Sequence, residues 1–150
     1  HTGNPFAGLQ EKGMVFLQSS KTDPQEIWDS IPVHAQEIVR KKKIQVVALD
    51  TVAIARDVAT QADLQQRMQG IVLLGIFLKS APFLKDFNMT EGQLFERVES
   101  VIRRFWGRHG EQVVADNLKA IRRGYSEVFE IPRQIIEKTS IVKDLPLTEN

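Results

Sequence analysis

Cysteine is absent from this sequence, and its absence removes a block of chemistry. The chain supplies no disulfide, no thiolate nucleophile, no zinc ribbon and no iron–sulfur ligation. A reducing compartment agrees with that composition, and the expected location is cytoplasmic. Histidine is almost as scarce: His1, His34 and His109 lie far apart in sequence and none has a partner three or four residues away, so no metal site is expected. Charge of one sign is not in excess either. A net charge of +1 makes no case for a nucleic-acid or acidic-membrane partner. Long apolar runs are missing too. The longest, residues 71–78, is far short of the roughly 20 residues a membrane span needs. Glycine-rich phosphate loops and Ser-centred nucleophile elbows do not occur, so no catalytic residue is expected.

What is present is the composition of an ordinary globular protein, 42% hydrophobic and 26% charged. The segments follow a repeated order of strand, helix and strand, then a long helical stretch without further strands. Strands are predicted near 14–18 and 44–49. The second is almost wholly apolar and β-branched, the pattern of a strand covered on both faces of a parallel sheet. Between them, Asp23 reads as a helix N-cap, with Pro24 at the first helical position and Glu26 three residues after the cap. Pro32 starts a second helix, and Arg40-Lys41-Lys42-Lys43 suits the negative end of its dipole. The fold class expected is α/β: the C-terminal part of a Rossmann-like domain, with one βαβ unit and a helix-rich second half. One such unit cannot close its own sheet, so further strands are expected from another part of the protein.

In the second half, Asp50-Thr51 opens a helix through Val58. Residues 67–79 leave little polar face and predict a buried helix ended by Pro82. Thr90 and Gln93 form a capping pair for the next helix, Gly107–Gly110 is a break, and 111–123 is the last helix, with Gly124 past its end. From Pro132 the alternation of charge and isolated aliphatics predicts an extended tail or interdomain linker over 132–150.

Ligands of open parallel sheets bind beyond the carboxyl ends of the strands. Those ends are Gln18-Ser19-Ser20-Lys21 and Asp50-Thr51. Two hydroxyls and an ammonium before a capped helix suit a phosphate. The same residues also read as a plain turn, with Asp50 capping the helix that follows. The acidic pair Glu96 and Glu99 reads as solvated charge. Arg103, Arg104, Arg108, Lys119, Arg122 and Arg123 make the last two helices basic, but neighbouring carboxylates offset them. Docking to an acidic protein surface fits better than nucleic acid.

Taken in order, Gly13-Met14-Val15-Phe16-Leu17-Gln18-Ser19, Glu26-Ile27-Trp28, 43–50 and Ile54-Ala55-Arg56 resemble the γ-type domain of pyruvate:ferredoxin (flavodoxin) oxidoreductases and related 2-oxoacid:acceptor oxidoreductases. Arg67-Met68-Gln69-Gly70 with Leu73-Leu74-Gly75 is similar to the helix that follows there. Arg108-His109-Gly110-Glu111-Gln112-Val113-Val114, with Asn117, is similar to the late segment of that domain. The resemblance implies that residues 1–131 are the C-terminal half of such a domain. It implies a thiamine-diphosphate-dependent 2-oxoacid oxidoreductase, with pyruvate the expected substrate. Thiamine diphosphate, magnesium and iron–sulfur clusters would then lie on other domains or subunits, and ferredoxin or flavodoxin would serve the whole complex. Coenzyme A is the implied co-substrate, with Ser19, Ser20 and Lys21 as the phosphate contact here. The isolated chain is expected to be inactive. The alternative is a stand-alone α/β module for protein interaction or small-ligand binding.

Overall fold

The computed structural model describes residues 13–59 and 62–143. They fall into two compact units. One joins the described residues up to Leu49 to those from Phe129 onward, and the other is Asp50–Val128. The loop expected over 1–13 lies, apart from Gly13, outside the described residues, as does the end of the chain from residue 144.

The first unit is built on β1 (Met14–Gln18) and β2 (Gln45–Leu49), paired in parallel from Met14 opposite Gln45 to Gln18 opposite Leu49. Between them run α1 (Pro24–Asp29) and α2 (Val33–Lys42). This is the expected βαβ unit of a Rossmann-like fragment. Asp23 caps α1, its carboxylate accepting from the Gln25 amide at 3.2 Å. Lys43 ends α2 in a left-handed conformation, φ 54°. Its amide donates to the Arg40 and Val39 carbonyls, and three basic residues fill the last turn. Val46, Val47, Ala48 and Leu49 are all buried, as their apolar run predicts.

Two features depart from expectation. A third strand, β3 (Phe129–Glu130), pairs antiparallel with β2, so β2 is central in the order β1-β2-β3. The segment from 132 is not extended: Arg133–Lys143 forms a helix, α8 in the numbering below. Ile136 is fully buried in one core with Ile27, Trp28, Val39 and Ile44. The Arg133 guanidinium donates to the Ile44 carbonyl at 2.7 Å, and Arg40 donates to the Ile136 carbonyl at 3.4 Å. Burial of one aliphatic and two charge-assisted bonds to carbonyls outweigh the weak local helix signal.

The second unit contains α3 (Thr51–Val58), α4 (Ala62–Ser80), α5 (Phe83–Asp86), α6 (Glu91–Trp106) and α7 (Glu111–Glu127). Asp50 caps α3 through the Ala53 amide at 3.0 Å. Thr90 and Gln93 make the expected reciprocal capping box on α6. A 3₁₀ turn at Gly107–His109 supplies the break before α7.

Helices α4 and α7 cross at two glycines. A Cβ on Gly75 would strike the Ile121 carbonyl and the Tyr125 amide, and one on Gly124 would strike the Val72 carbonyl. Gly124 therefore lies inside α7 rather than past its end, and α7 runs on to Glu127. Its reason is the facing backbone, which one-dimensional pattern does not show. The buried helix expected over 67–79 is buried only on the side of Met68, Val72 and Ile76. On the other side Leu73 and Leu74 are each 41% exposed and Phe77 is 51% exposed.

Gly124→Ala is expected to destabilise the second unit by about 1–3 kcal/mol or more through overpacking. Gly70→Ala, in the same α4 with nothing within 4 Å of the added carbon, is expected to stabilise it by about 0.5–1 kcal/mol. Thermal unfolding of the two variants reads the opposite signs. Ile136→Ala is expected to cost about 2–5 kcal/mol by opening a cavity in the first unit. Urea unfolding followed by tryptophan fluorescence in a Trp106→Phe background, which leaves Trp28 as the reporter, tests it, since Trp28 shares that core; an unchanged midpoint would show α8 to be a passive tail.

α8, the last element in chain order, is Arg133–Lys143.

Candidate functional site

In the first unit the residues singled out for phosphate form a compact turn at the carboxyl end of β1. The Ser19 amide donates to the Leu49 carbonyl at 3.3 Å and so extends the parallel ladder. The Ser19 hydroxyl accepts from the Lys21 amide at 3.1 Å, a local bond typical of serine in turns. Ser20 and Lys21 are exposed. The start of α1 already holds the Asp23 carboxylate, and Pro24 brings no N–H there. An anion at this turn therefore meets the Ser20 hydroxyl and the Lys21 ammonium rather than the helix end. Asp50 is a helix cap, as the alternative reading of that strand end has it.

In the second unit a cleft of about 390 Å³ opens between α4, the end of α6 and the first half of α7. Leu64, Met68, Trp106 and Val113 supply apolar walls; Arg67, His109 and Asp116 supply polar groups. Asn117, also on its wall, is only 4% exposed. Its side-chain amide donates to the Val113 carbonyl at 2.7 Å, which leaves its own oxygen buried and without a partner among the described residues. Asp116 accepts from the Gln112 side chain at 2.8 Å. Gly110, which leads into α7, has φ +106° with open space around it, so its backbone conformation rather than crowding calls for glycine. Apolar walls with a few convergent polar groups, Arg67, His109, Asp116 and Asn117, suit the binding of a small ligand.

Sequence reasoning did not bring these residues together as a site. Arg67-Met68 and His109 to Asn117 carried the resemblance as separate pieces, and the fold places them around one cleft. Helical spacing was the available signal: Val113 and Asn117 are one turn apart on α7, and Arg67-Met68 opens the apolar run of α4. His34 is exposed on α2, and His1 lies outside the described residues. Among the described residues no group of three His, Asp or Glu is placed to hold a metal, and no helix is long and apolar enough to cross a membrane.

Comparison with known proteins adds the family. A pyruvate-flavodoxin oxidoreductase of Trichormus variabilis is 23% identical over 120 residues, covering 80% of this chain and 9% of that protein. A putative pyruvate-flavodoxin oxidoreductase of Synechocystis sp. is 23% identical over 119 residues, covering 79% of this chain and 9% of its own length. The chain thus spans less than a tenth of the length of the curated relatives it matches. A family model described as pyruvate ferredoxin/flavodoxin oxidoreductase matches residues 1–127, which takes in both the strand-end turn and the α4–α7 cleft. On that match the chain belongs to the pyruvate ferredoxin/flavodoxin oxidoreductase family.

Proposed function

We propose that this chain is a structural and ligand-binding domain of a thiamine-diphosphate-dependent pyruvate:ferredoxin or flavodoxin oxidoreductase, without a catalytic group of its own. The observation that carries the reading is the family match over residues 1–127 by a chain that covers 9% of its relatives. Electron-carrying iron–sulfur clusters need thiolates, and the chain has none. Among the described residues no three His, Asp or Glu cluster as metal ligands. On this reading the clusters, thiamine diphosphate and magnesium belong to other domains or subunits of the enzyme. The domain would then comprise residues 1–131 and what precedes them in the whole enzyme. Further strands would pair with the outer edge of β1, whose Met14–Leu17 are half-buried and, among the described residues, have no strand neighbour beyond β2.

Coenzyme A is the co-substrate whose binding this domain would share. Ser20 and Lys21, exposed beyond β1, supply a hydroxyl and a cation for a phosphate. The α4–α7 cleft of the other unit, with apolar walls and Arg67, is the competing place for that phosphate.

Isothermal calorimetry of the chain with thiamine diphosphate and magnesium is expected to show no binding; micromolar affinity would overturn the assignment of that cofactor to other domains. In the whole enzyme, Lys21→Glu is expected to raise the KM for coenzyme A about ten- to a hundred-fold, the effect of losing one charge-assisted bond. The pyruvate KM should not change. If Arg67→Glu raises the coenzyme A KM and Lys21→Glu does not, the phosphate contact belongs to the cleft.

A further inference from the structure

The exposed face of α6 alternates cation and hydrocarbon. Arg97, Val101, Arg104, Phe105 and Arg108 follow one another at helical spacings of three or four residues, or lie side by side, and so share one stripe that runs on into the 3₁₀ turn. Val101 is 47% and Phe105 62% exposed. Val101 also shares an apolar groove of about 190 Å³ with Leu74 of α4, itself 41% exposed, and Arg97 is the groove's one charged lining residue.

The arginines of this stripe differ from their neighbour. Arg103, one residue away, is neutralised twice, by Glu99 at 3.0 Å and Glu111 at 2.7 Å. Arg97, Arg104 and Arg108 make no ion pair among the described residues. A solvated face has no use for the interleaved apolar side chains, and a phosphate backbone calls for cations without them. Apolar side chains flanked by uncompensated guanidinium groups complement a protein surface of the reverse pattern.

We propose that this α4–α6 face docks an acidic amphipathic surface, aliphatic or aromatic side chains flanked by carboxylates, on another domain of the same oxidoreductase. The proposal rests on the domain assignment above. Most of the length of the relatives lies outside the segment matched here, and it is the source of that surface.

The test uses the assembled oxidoreductase that contains this chain, assayed first for pyruvate-dependent reduction of an acceptor. Hydroxyl-radical footprinting then reads the Phe105 side chain. Under a dry partner surface it is expected to react about tenfold more slowly than in the same protein unfolded in denaturant. An Arg104→Lys, Arg108→Lys variant next gives a carbodiimide an amine to join to adjacent carboxylates. Mass spectrometry is expected to find the far ends of these links on Asp or Glu outside residues 1–150. An active enzyme in which Phe105 reacts near its unfolded rate overturns docking and leaves the domain assignment standing. Links that end only within residues 1–150, of the same chain or a second copy, do so too. An assembly without pyruvate activity, yet with Phe105 protected and linked, overturns the domain assignment and the oxidoreductase partner with it.

Discussion

Gly75 and Gly124 let two helix backbones touch, and much of the second unit is referred to that contact. Each glycine faces the segment that carries the other: Gly75 meets Ile121 and Tyr125, and Gly124 meets Val72 and Ile76. Two helical turns before Gly75 lies Met68, and two turns before Gly124 lies Asn117. These are opposite walls of the α4–α7 cleft. The separation of the walls is thus set by a contact about 10 Å away along each helix, from the rise per residue of an α-helix. On the other side of the crossing, Leu74 and Ile121 line the apolar groove against α6. A side chain at either glycine would move both concavities together, because close-packed interiors pass on displacement rather than absorb it.

Local chemistry was the part of the fold that could be read from sequence. Asp23, Asp50 and the Thr90–Gln93 pair act through amides two or three residues away, so the residue and its partner sit in one short window. The strand at β2 was legible because burial on both faces leaves a continuous apolar run. Local pattern makes Gly124 a helix stop, because glycine favours that position. Its real constraint is a carbonyl on α4, distant in sequence. For α8, an apolar pair at Ile135 and Ile136 does not distinguish a docked helix from a tail; the core that receives Ile136 is built from α1, α2 and β2. β3 is two residues long, too short for any alternation to register. The helical density of apolar residues in α4 was legible, but which side would be covered was not, since periodicity cannot reveal the extent of a neighbour.

Site residues divide along the same line. Ser19, Ser20 and Lys21 are consecutive at a strand end, and topology alone marks such a place. Arg67, Trp106, His109 and Asn117 are each unremarkable in sequence and acquire a common meaning only when α4, α6, the 3₁₀ turn and α7 converge. The buried Asn117 oxygen is of this kind. Its amide spends one hydrogen on the turn before it, and the oxygen is left buried without a partner among the described residues, where an unmet acceptor costs free energy that the fold must supply from elsewhere.

Net charge illustrates how a sum conceals a pattern. The chain carries 20 basic and 19 acidic side chains, a balance that argues against a polyanionic partner when the molecule is taken whole. Pairing, however, is uneven. Arg103 and Arg123 each take two carboxylates, drawing acidic groups to the α6–α7 and α3–α7 seams and away from the rest of α6. The stripe from Arg97 to Arg108 is left basic by that distribution, not by composition. Exposed pairs of this sort contribute little to stability. Their larger consequence is to fix where compensation is complete and where it is left to another surface.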